Sequence, residues 1–284
     1  MGDRLLHVFR NTPLGRETLL QSLYFCQTLG VTPHVYIPKE TQLLMYFEHD
    51  AIQVYLDRSF LTSPQTASTH VAELAAQFGV KPVSLIPTRF TASRLPDIPT
   101  NFNYMCCPRT ISDLSAKIGL GYIGPKVRSI IKFSSFPVLI TSSGFKPWKS
   151  ITVFYGGSQN ANKSLRWGLH LSRESGFPLD MFTFARDHDA AYYDQRLQEA
   201  DLLESVRQNV RTWHKASEGG FEENLYVIPH DALLVVGVFG HSLIKDFIFG
   251  SKMEAIQAWM PNNMLLVGPH CIFGALQGPA DEAR

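Results

Sequence analysis

The sequence predicts an α/β protein made of two tandem five-stranded, mostly parallel open sheets with helices on both faces, a Rossmann-like arrangement. Short apolar strand segments alternate with segments of helical period along the chain, a pattern typical of parallel sheets covered by helices. The same order of segments occurs twice, which indicates an internal repeat. A turn-rich stretch separates the copies. We therefore predict one domain at residues 1–144, a linker at 145–149 and a second domain at 150–284.

Each copy opens with an apolar strand, a helix and a second strand. The first strands are predicted at residues 5–9 and 151–155, and the second strands at 32–37 and 179–184. The helices between them end at Gly30 and Gly176, since glycine adopts the left-handed C-cap conformation at low cost. Ser158 or Asn160 is the expected N-cap of the second copy's helix.

The later elements follow the same order in both copies. A longer helical segment is predicted to end near Phe78 in the first copy and near Lys215 in the second. The remaining strands are predicted at 82–86, 102–107 and 137–140, and at 224–228, 232–236 and 264–267, with helices starting near Gly124 and Gly250. Residues 229–231 are too few for the dozen that a parallel crossover needs. That edge is predicted to be remodelled or antiparallel.

Composition narrows the class of protein. The chain has 284 residues, 45% hydrophobic and 18% charged, with a net charge of +1. These values are typical of a globular protein and give no basic footprint for nucleic acid. No apolar run is long enough to span a bilayer, and the N-terminus is too polar for a signal peptide, so we expect a cytoplasmic protein.

The four cysteines are Cys26, Cys106, Cys107 and Cys271. None forms a C-x-x-C pair, and no histidine cluster lies at zinc-ligand spacing. Burial as small apolar side chains in a reducing compartment is the simplest interpretation. A redox role for the adjacent Cys106 and Cys107 is the alternative.

The most informative motif lies near the C-terminus. The apolar run 232–236 ends on Gly237, and Gly240, Gly250 and Ser251 complete a G-x2-G-x9-G-S pattern. Glycines after a buried strand let the backbone approach an anion, and a helix that begins at a Gly-Ser pair offers free N–H groups to phosphates. The pattern predicts a nucleotide-phosphate loop. Ordinary turn glycines are the alternative.

These segments resemble the universal stress protein family in its tandem form, whose fold is grouped with the adenine nucleotide alpha hydrolases. Residues 151–169, ITVFYGGSQNANKSLRWGL, are similar to the family's opening strand, turn and first helix. The stretch 237–251 matches the family's ATP-binding signature at all four defining positions. Residues 123–140 resemble the family's final helix and strand. The resemblance covers essentially the whole chain.

The resemblance implies an adenosine site at the carboxyl ends of the first, second and fourth strands of the second copy, the crevice expected of a doubly wound sheet. It implies these binding positions: Phe184 and Val236 at the adenine, Gly237 and Gly240 at the ribose and phosphates, and Gly250 and Ser251 at the phosphate oxygens. The ligand would be ATP or AMP, with or without Mg²⁺.

The second copy departs from the family pattern at three positions. Gly156 stands where the family usually has an aspartate that contacts adenosine, and Lys252 and Met253 stand where small or β-branched residues are common. The loss of two hydrogen bonds would weaken binding by roughly 5- to 150-fold. Lys252 either meets phosphate charge directly or lies on a solvated helix face. His241, within the glycine loop, either contacts a phosphate or is an ordinary loop histidine.

The first copy departs further, because no G-x2-G follows its fourth strand and Pro125, directly after Gly124, has no N–H to donate. We interpret it as a degenerate copy without a site. Residues 187–189, Asp-His-Asp, form a solvated loop rather than a metal site, since metal ligands normally come from spaced positions.

The sequence is compatible with three functions. The first is a regulatory protein that binds an adenine nucleotide in its second domain with little or no turnover, because no general base, nucleophile or metal cluster surrounds the loop. The alternative is an interaction or scaffold protein of the same fold that binds no nucleotide and needs no cofactor. The third is an enzyme that uses an adenine nucleotide, which would need a substrate-facing acid or base that the sequence does not show.

The resemblance also implies an intrachain pseudo-dimer, with the fifth strands 138–141 and 265–268 side by side. Association of two chains into a homodimer remains open.

Overall fold

The computed structural model describes residues 2–48, 50–109, 123–185, 188–239 and 260–274. Its strands are β1 (Arg4–Val8), β2 (Thr32–Tyr36), β3 (Gln42–Tyr46), β4 (Ala51–Tyr55), β5 (Val83–Leu85), β6 (Arg89–Phe90), β7 (Pro96–Ile98), β8 (Tyr104–Cys107), β9 (Val138–Ile140), β10 (Ser150–Phe154), β11 (Leu179–Phe184), β12 (Val210–Ala216), β13 (Ala232–Gly237) and β14 (Met264–Val267). Its helices are α1 (Pro13–Leu29), α2 (Pro64–Gln77), α3 (Pro125–Phe133), α4 (Gln159–Ser175), α5 (Ala190–Glu199), α6 (Leu203–Asn209) and α7 (Phe221–Asn224).

Ten of the strands form one sheet in the order β12-β11-β10-β13-β14-β9-β8-β1-β2-β5. Within each half the neighbouring strands are parallel, and each half places its first strand between its second and fourth. The halves join where β14 pairs antiparallel with β9, with Leu265 opposite Leu139. This is the strand order of a mononucleotide-binding half, present twice. The predicted α/β, Rossmann-like fold class is confirmed.

The opening βαβ unit of each half forms for the local reasons that the sequence suggests. Thr12 caps α1 by accepting a hydrogen bond from the Gly15 N–H at 3.1 Å. Ser158, and not Asn160, caps α4, accepting from the Ala161 N–H at 3.2 Å. Both helices end on a left-handed glycine, Gly30 at φ +66° and Gly176 at φ +71°, as predicted.

The third strand of the second half is not where the sequence suggested. The helical segment expected to reach Lys215 ends at Asn209, and residues 210–216 form the edge strand β12, parallel to β11. Residues 224–228, predicted as a strand, instead contain the end of α7 and a single 3₁₀ turn. The antiparallel alternative for this edge was therefore wrong, because β12 is parallel to β11 and the whole stretch after β12 serves as the crossover to β13. That crossover contains only the short α7 and the 3₁₀ turn.

A second sheet, absent from the sequence-based prediction, covers one face of the first half. Its order is β4-β3-β7-β6. Its inward side chains belong to the same core cluster as Leu6 and Met105 of the large sheet; they are Leu43, Met45, Ile52, Val54 and Ile98. α1 and α2 pack over the opposite face. The first half therefore carries strands β3 and β4 ahead of α2, in a stretch where the sequence predicted only a longer helical segment.

The residues between the halves are held tightly against α1. Glu17 and Gln21 accept hydrogen bonds from the backbone N–H groups of Phe145 at 2.7 Å and Lys146 at 3.0 Å. One turn further along α1, the Tyr24 hydroxyl donates to the Trp148 carbonyl at 2.5 Å. These three side chains lie on one face of the helix. The predicted linker region is thus fixed by both side-chain and backbone contacts.

The cysteines are all free and buried. Burial raises the pKa of Cys106 to about 12 and that of Cys271 to about 12. The thiolate, which is the reactive form, is therefore scarce at neutral pH. Of the two interpretations of the adjacent Cys106 and Cys107, burial as small apolar side chains is the one that the structure favours.

Across the described ranges, no helix has both the length and the apolar character that crossing a membrane requires.

Candidate nucleotide site

The topological switch point of the second half lies beside β10. β11, the next large-sheet strand along the chain, pairs with one side of β10, and β13 pairs with the other. Phe154 has Phe182 and Val236 as its two cross-strand partners. Ligands of doubly wound sheets bind in the crevice at the carboxyl ends of such strands. The crevice therefore opens beyond residues 154, 182 and 236.

A pair of glycines forms the turn at the end of β10. Gly156 is half-buried, and the buried Gly157 has φ +73°, a conformation that side-chain-bearing residues rarely adopt. A Cβ on Gly157 would lie 3.1 Å from the Cε1 atom of Tyr192. The turn is thus packed against α5, and Ser158 then begins α4.

Val236 and Gly237 end β13 at the same edge. Val236 is fully buried. A Cβ added to Gly237 would lie 2.4 Å from the backbone oxygen of Asn160, and the Asn160 side-chain amide donates to the Val238 carbonyl at 2.5 Å. Gly237 therefore allows β13 to approach the first turn of α4, a packing requirement that needs no ligand.

Replacing Gly237 with alanine is expected to lower the free energy of unfolding by about 1–3 kcal/mol, because the new methyl group overlaps the α4 backbone. Urea titration followed by circular dichroism measures the effect. Gly144→Ala is the matched control, since a Cβ there meets no atom within 4 Å. Equal stability of Gly237→Ala and the wild type would contradict the close approach. Because of this structural cost, loss of ligand binding in Gly237→Ala alone does not identify a binding residue.

The residue before the second glycine of the motif has a strained backbone. Phe239 has φ +63°, which is uncommon for a large side chain and costs on the order of 1–3 kcal/mol. Such strain clusters at ligand sites and switch regions.

The predicted site residues Gly240, Gly250, Ser251 and Lys252 lie outside the described residues, as do Met253 and His241.

Phe184, the predicted adenine-packing residue, ends β11 and is half-buried. Its ring meets the ring of Phe221 edge to face, with centroids 5.3 Å apart and an interplanar angle of 85°. Phe221 was not among the predicted site residues. It comes from α7, which the sequence pattern had placed next to a strand, so no local signal pointed to this contact.

Charged and polar groups around the turn have structural partners. Asp189, from the Asp-His-Asp segment, caps α5 by accepting from the Tyr192 N–H at 2.9 Å. His188 stacks on Tyr192 with centroids 3.8 Å apart. The Tyr155 hydroxyl donates to Asn162 at 3.0 Å, and burial raises the Tyr155 pKa. Over the described ranges, no three His, Cys, Asp or Glu side chains lie together as a metal site.

The corresponding crevice of the first half is occupied by its own side chains. Arg10, which follows β1, forms an ion pair with Asp57 at 3.2 Å and donates to the Ser59 hydroxyl at 2.5 Å. Its guanidinium also lies 5.3 Å from the centre of the Phe60 ring. Asn11 hydrogen-bonds the His70 ring at 2.9 Å. The insertion that contains the small sheet supplies several of these partners. Arg109 lies two residues beyond β8, and burial lowers its pKa.

No protein-family model matches the chain, and neither does any curated protein. Solved structures do match it. A universal stress protein from Archaeoglobus fulgidus aligns with a TM-score of 0.58 and 15% identity, over 94% of this chain and 96% of that chain. A chain from Pseudomonas aeruginosa, provisionally described as a universal stress protein, aligns with a TM-score of 0.53 and 9% identity, over 95% of this chain and 94% of that chain. A Pseudomonas aeruginosa protein of unknown function gives a TM-score of 0.53 and 9% identity, over 95% of this chain and 93% of that chain. At sequence identities this low, the structural alignments establish the fold alone. The chain has the fold of the universal stress proteins across both halves.

Proposed function

We propose that this chain is a cytoplasmic regulatory protein that binds ATP or AMP at the switch point of its second half, with little or no turnover. The observation that carries the proposal is the G-x2-G-x9-G-S pattern, which starts at Gly237, where β13 ends beside β10 at that edge. The backbone amides that such a pattern offers suit a phosphate.

The strained backbone of Phe239 adds support, because it falls between the first two glycines of the motif. Little turnover is proposed because the described groups near the crevice have structural duties. Asp189 caps a helix and Tyr155 hydrogen-bonds Asn162. A general base must lie within hydrogen-bonding distance of the proton that it removes. Asp189 and Tyr155 are instead held in these structural hydrogen bonds.

A melting experiment with nucleotides tests the proposal. At a hundred times its dissociation constant, a ligand stabilises the folded state by about 2.7 kcal/mol, which for a chain of this size raises the melting temperature by roughly 5 °C or more. We expect such a rise with ATP or AMP, measured with and without Mg²⁺. The rise should disappear in Gly250→Val and persist in Gly144→Val. GTP at the same concentration controls for general anion effects.

The second candidate is an interaction or scaffold protein that binds no nucleotide. The contact between Phe221 and Phe184 favours it, because the predicted adenine position already has an aromatic neighbour. The ion pair of Arg10 with Asp57 in the first-half crevice is a further point in its favour. Absence of any melting shift with all adenine nucleotides would select this function. The antiparallel contact of β9 with β14 supports the proposed intrachain pseudo-dimer under either function.

A further inference from the structure

An aromatic row runs across the carboxyl ends of β10 and β11. Phe154 and Phe182 lie with ring centroids 5.2 Å apart. The ring centroid of Phe221 lies 6.2 Å from that of Phe182 and 5.3 Å from that of Phe184, with interplanar angles of 73° and 85°. Edge-to-face pairs of this kind are favourable beyond the area that they bury. Phe221 and Phe184 are both partly buried and pack against the same core cluster.

The segment that carries Phe221 has its own local order. Gly219 has φ +75°, and the Gly220 N–H donates to the Glu223 carboxylate at 2.8 Å. The Asn224 side-chain amide donates to the carbonyls of Glu218 at 2.7 Å and Gly220 at 2.8 Å. These bonds join residues of the same short segment. The bonds span Gly219 and Gly220, so residues 218–224 would move as one unit if Phe221 left Phe184.

Behind this segment the chain is anchored. Leu225 and Ile228 are buried in the core cluster, and the Asn262 side-chain amide donates to the Pro229 carbonyl at 3.0 Å. A compact segment followed by a buried anchor is what a hinged cover needs, since a few residues at element ends absorb the change in backbone angles.

We infer that Phe221 is an autoinhibitory cover for the adenine subsite, and that an adenine nucleotide must displace its ring to pack on Phe184. This inference rests on the proposed nucleotide-binding function and adds its regulation. Phe221 and adenine are both aromatic and would use the same neighbour. When only a fraction of molecules has the subsite uncovered, the apparent affinity falls by that fraction. Whatever holds residues 217–224 away from β11 would thereby raise nucleotide affinity.

The test compares ATP binding to the wild type and to Phe221→Ala by titration calorimetry on the full chain. Removing an edge-to-face aromatic contact is expected to tighten ATP binding by roughly 2- to 10-fold. Val227→Ala, a truncation of a 47% exposed side chain on the next turn, should leave the affinity unchanged. Phe221→Leu keeps apolar volume and replaces Phe221→Ala if the latter fails to fold, with the same direction expected.

Hydrogen exchange of the wild type provides a second readout. Saturating ATP should speed exchange of the amides in residues 218–224, because the cover is displaced. If ATP binds the wild type and both Phe221 variants equally and leaves exchange in 218–224 unchanged, the cover is refuted while nucleotide binding stands. If neither the wild type nor the Phe221 variants bind ATP, nucleotide binding and the cover are both refuted.

Discussion

Replacing Trp148 with alanine is expected to lower the free energy of unfolding by about 3–5 kcal/mol, the usual cost of removing a buried large aromatic. Trp148 is 1% exposed although it lies in the stretch between the two halves. Its ring packs edge on against Tyr24 at 5.9 Å and against Phe177 at 5.2 Å. Tyr24 belongs to α1 and Phe177 precedes β11, so one side chain joins both halves of the molecule.

Trp148→Phe is the matched variant for this prediction. The indole Nε1 of Trp148 is buried without a hydrogen-bond partner, and an unsatisfied buried donor costs on the order of 1–3 kcal/mol. Phenylalanine removes that donor and keeps a ring, so its net cost should stay below about 1.5 kcal/mol. Urea unfolding followed by circular dichroism ranks the three proteins. A loss below 1 kcal/mol in Trp148→Ala would contradict the packing role.

The opening unit of each half could be predicted because its signals are local. Ser158 and Gly176 bound α4, and an apolar strand lies on each side of the helix. A side-chain cap and a left-handed glycine depend on a few neighbouring residues. The sequence therefore located β10, α4 and β11 closely, and it located β13 by its continuous apolar run.

The third strand of the second half could not be predicted in the same way. Val206, Val210 and Trp213 recur at intervals of three to four residues, which is the period of a helix. In the structure the helix ends at Asn209, and Val210 instead pairs with Leu179 of β11. Pairing with a distant strand decided the outcome, as tertiary context often does.

In the candidate site, too, local features could be predicted from the sequence and contacts between distant segments could not. Gly237 was identifiable as a special position, but its steric reason, the nearby Asn160 carbonyl, depends on how α4 crosses β13. Phe221 gave no signal, because its contact with Phe184 joins residues 37 positions apart by number. A sequence pattern can indicate a position where the backbone conformation or packing is unusual, as at Gly237. It does not indicate which distant segment packs against that position, as Phe221 does against Phe184.

His7 is a fully buried histidine through which acid should lower the stability of the fold. It lies on β1, is 1% exposed, and its Nδ1 hydrogen-bonds the Ser22 hydroxyl of α1 at 2.8 Å. Its cross-strand partner is Cys106. Burial lowers the pKa of His7 from about 6.5 to about 3. The folded state therefore holds His7 neutral in a pH range where the unfolded chain binds a proton.

Stability from this group is complete above pH 6.5 and falls as the pH drops toward 3, by up to about 1.4 kcal/mol per pH unit. Between pH 7 and pH 5 we expect the wild type to lose about 2 kcal/mol through His7, measured as the shift in urea midpoint. His7→Gln keeps a polar partner for Ser22 but does not titrate, so it should lose about 2 kcal/mol less over the same interval. His230 is exposed, and the control variant His230→Gln should lose as much stability between pH 7 and pH 5 as the wild type does. An identical pH profile for the wild type and His7→Gln would mean that His7 protonates equally well in the folded chain.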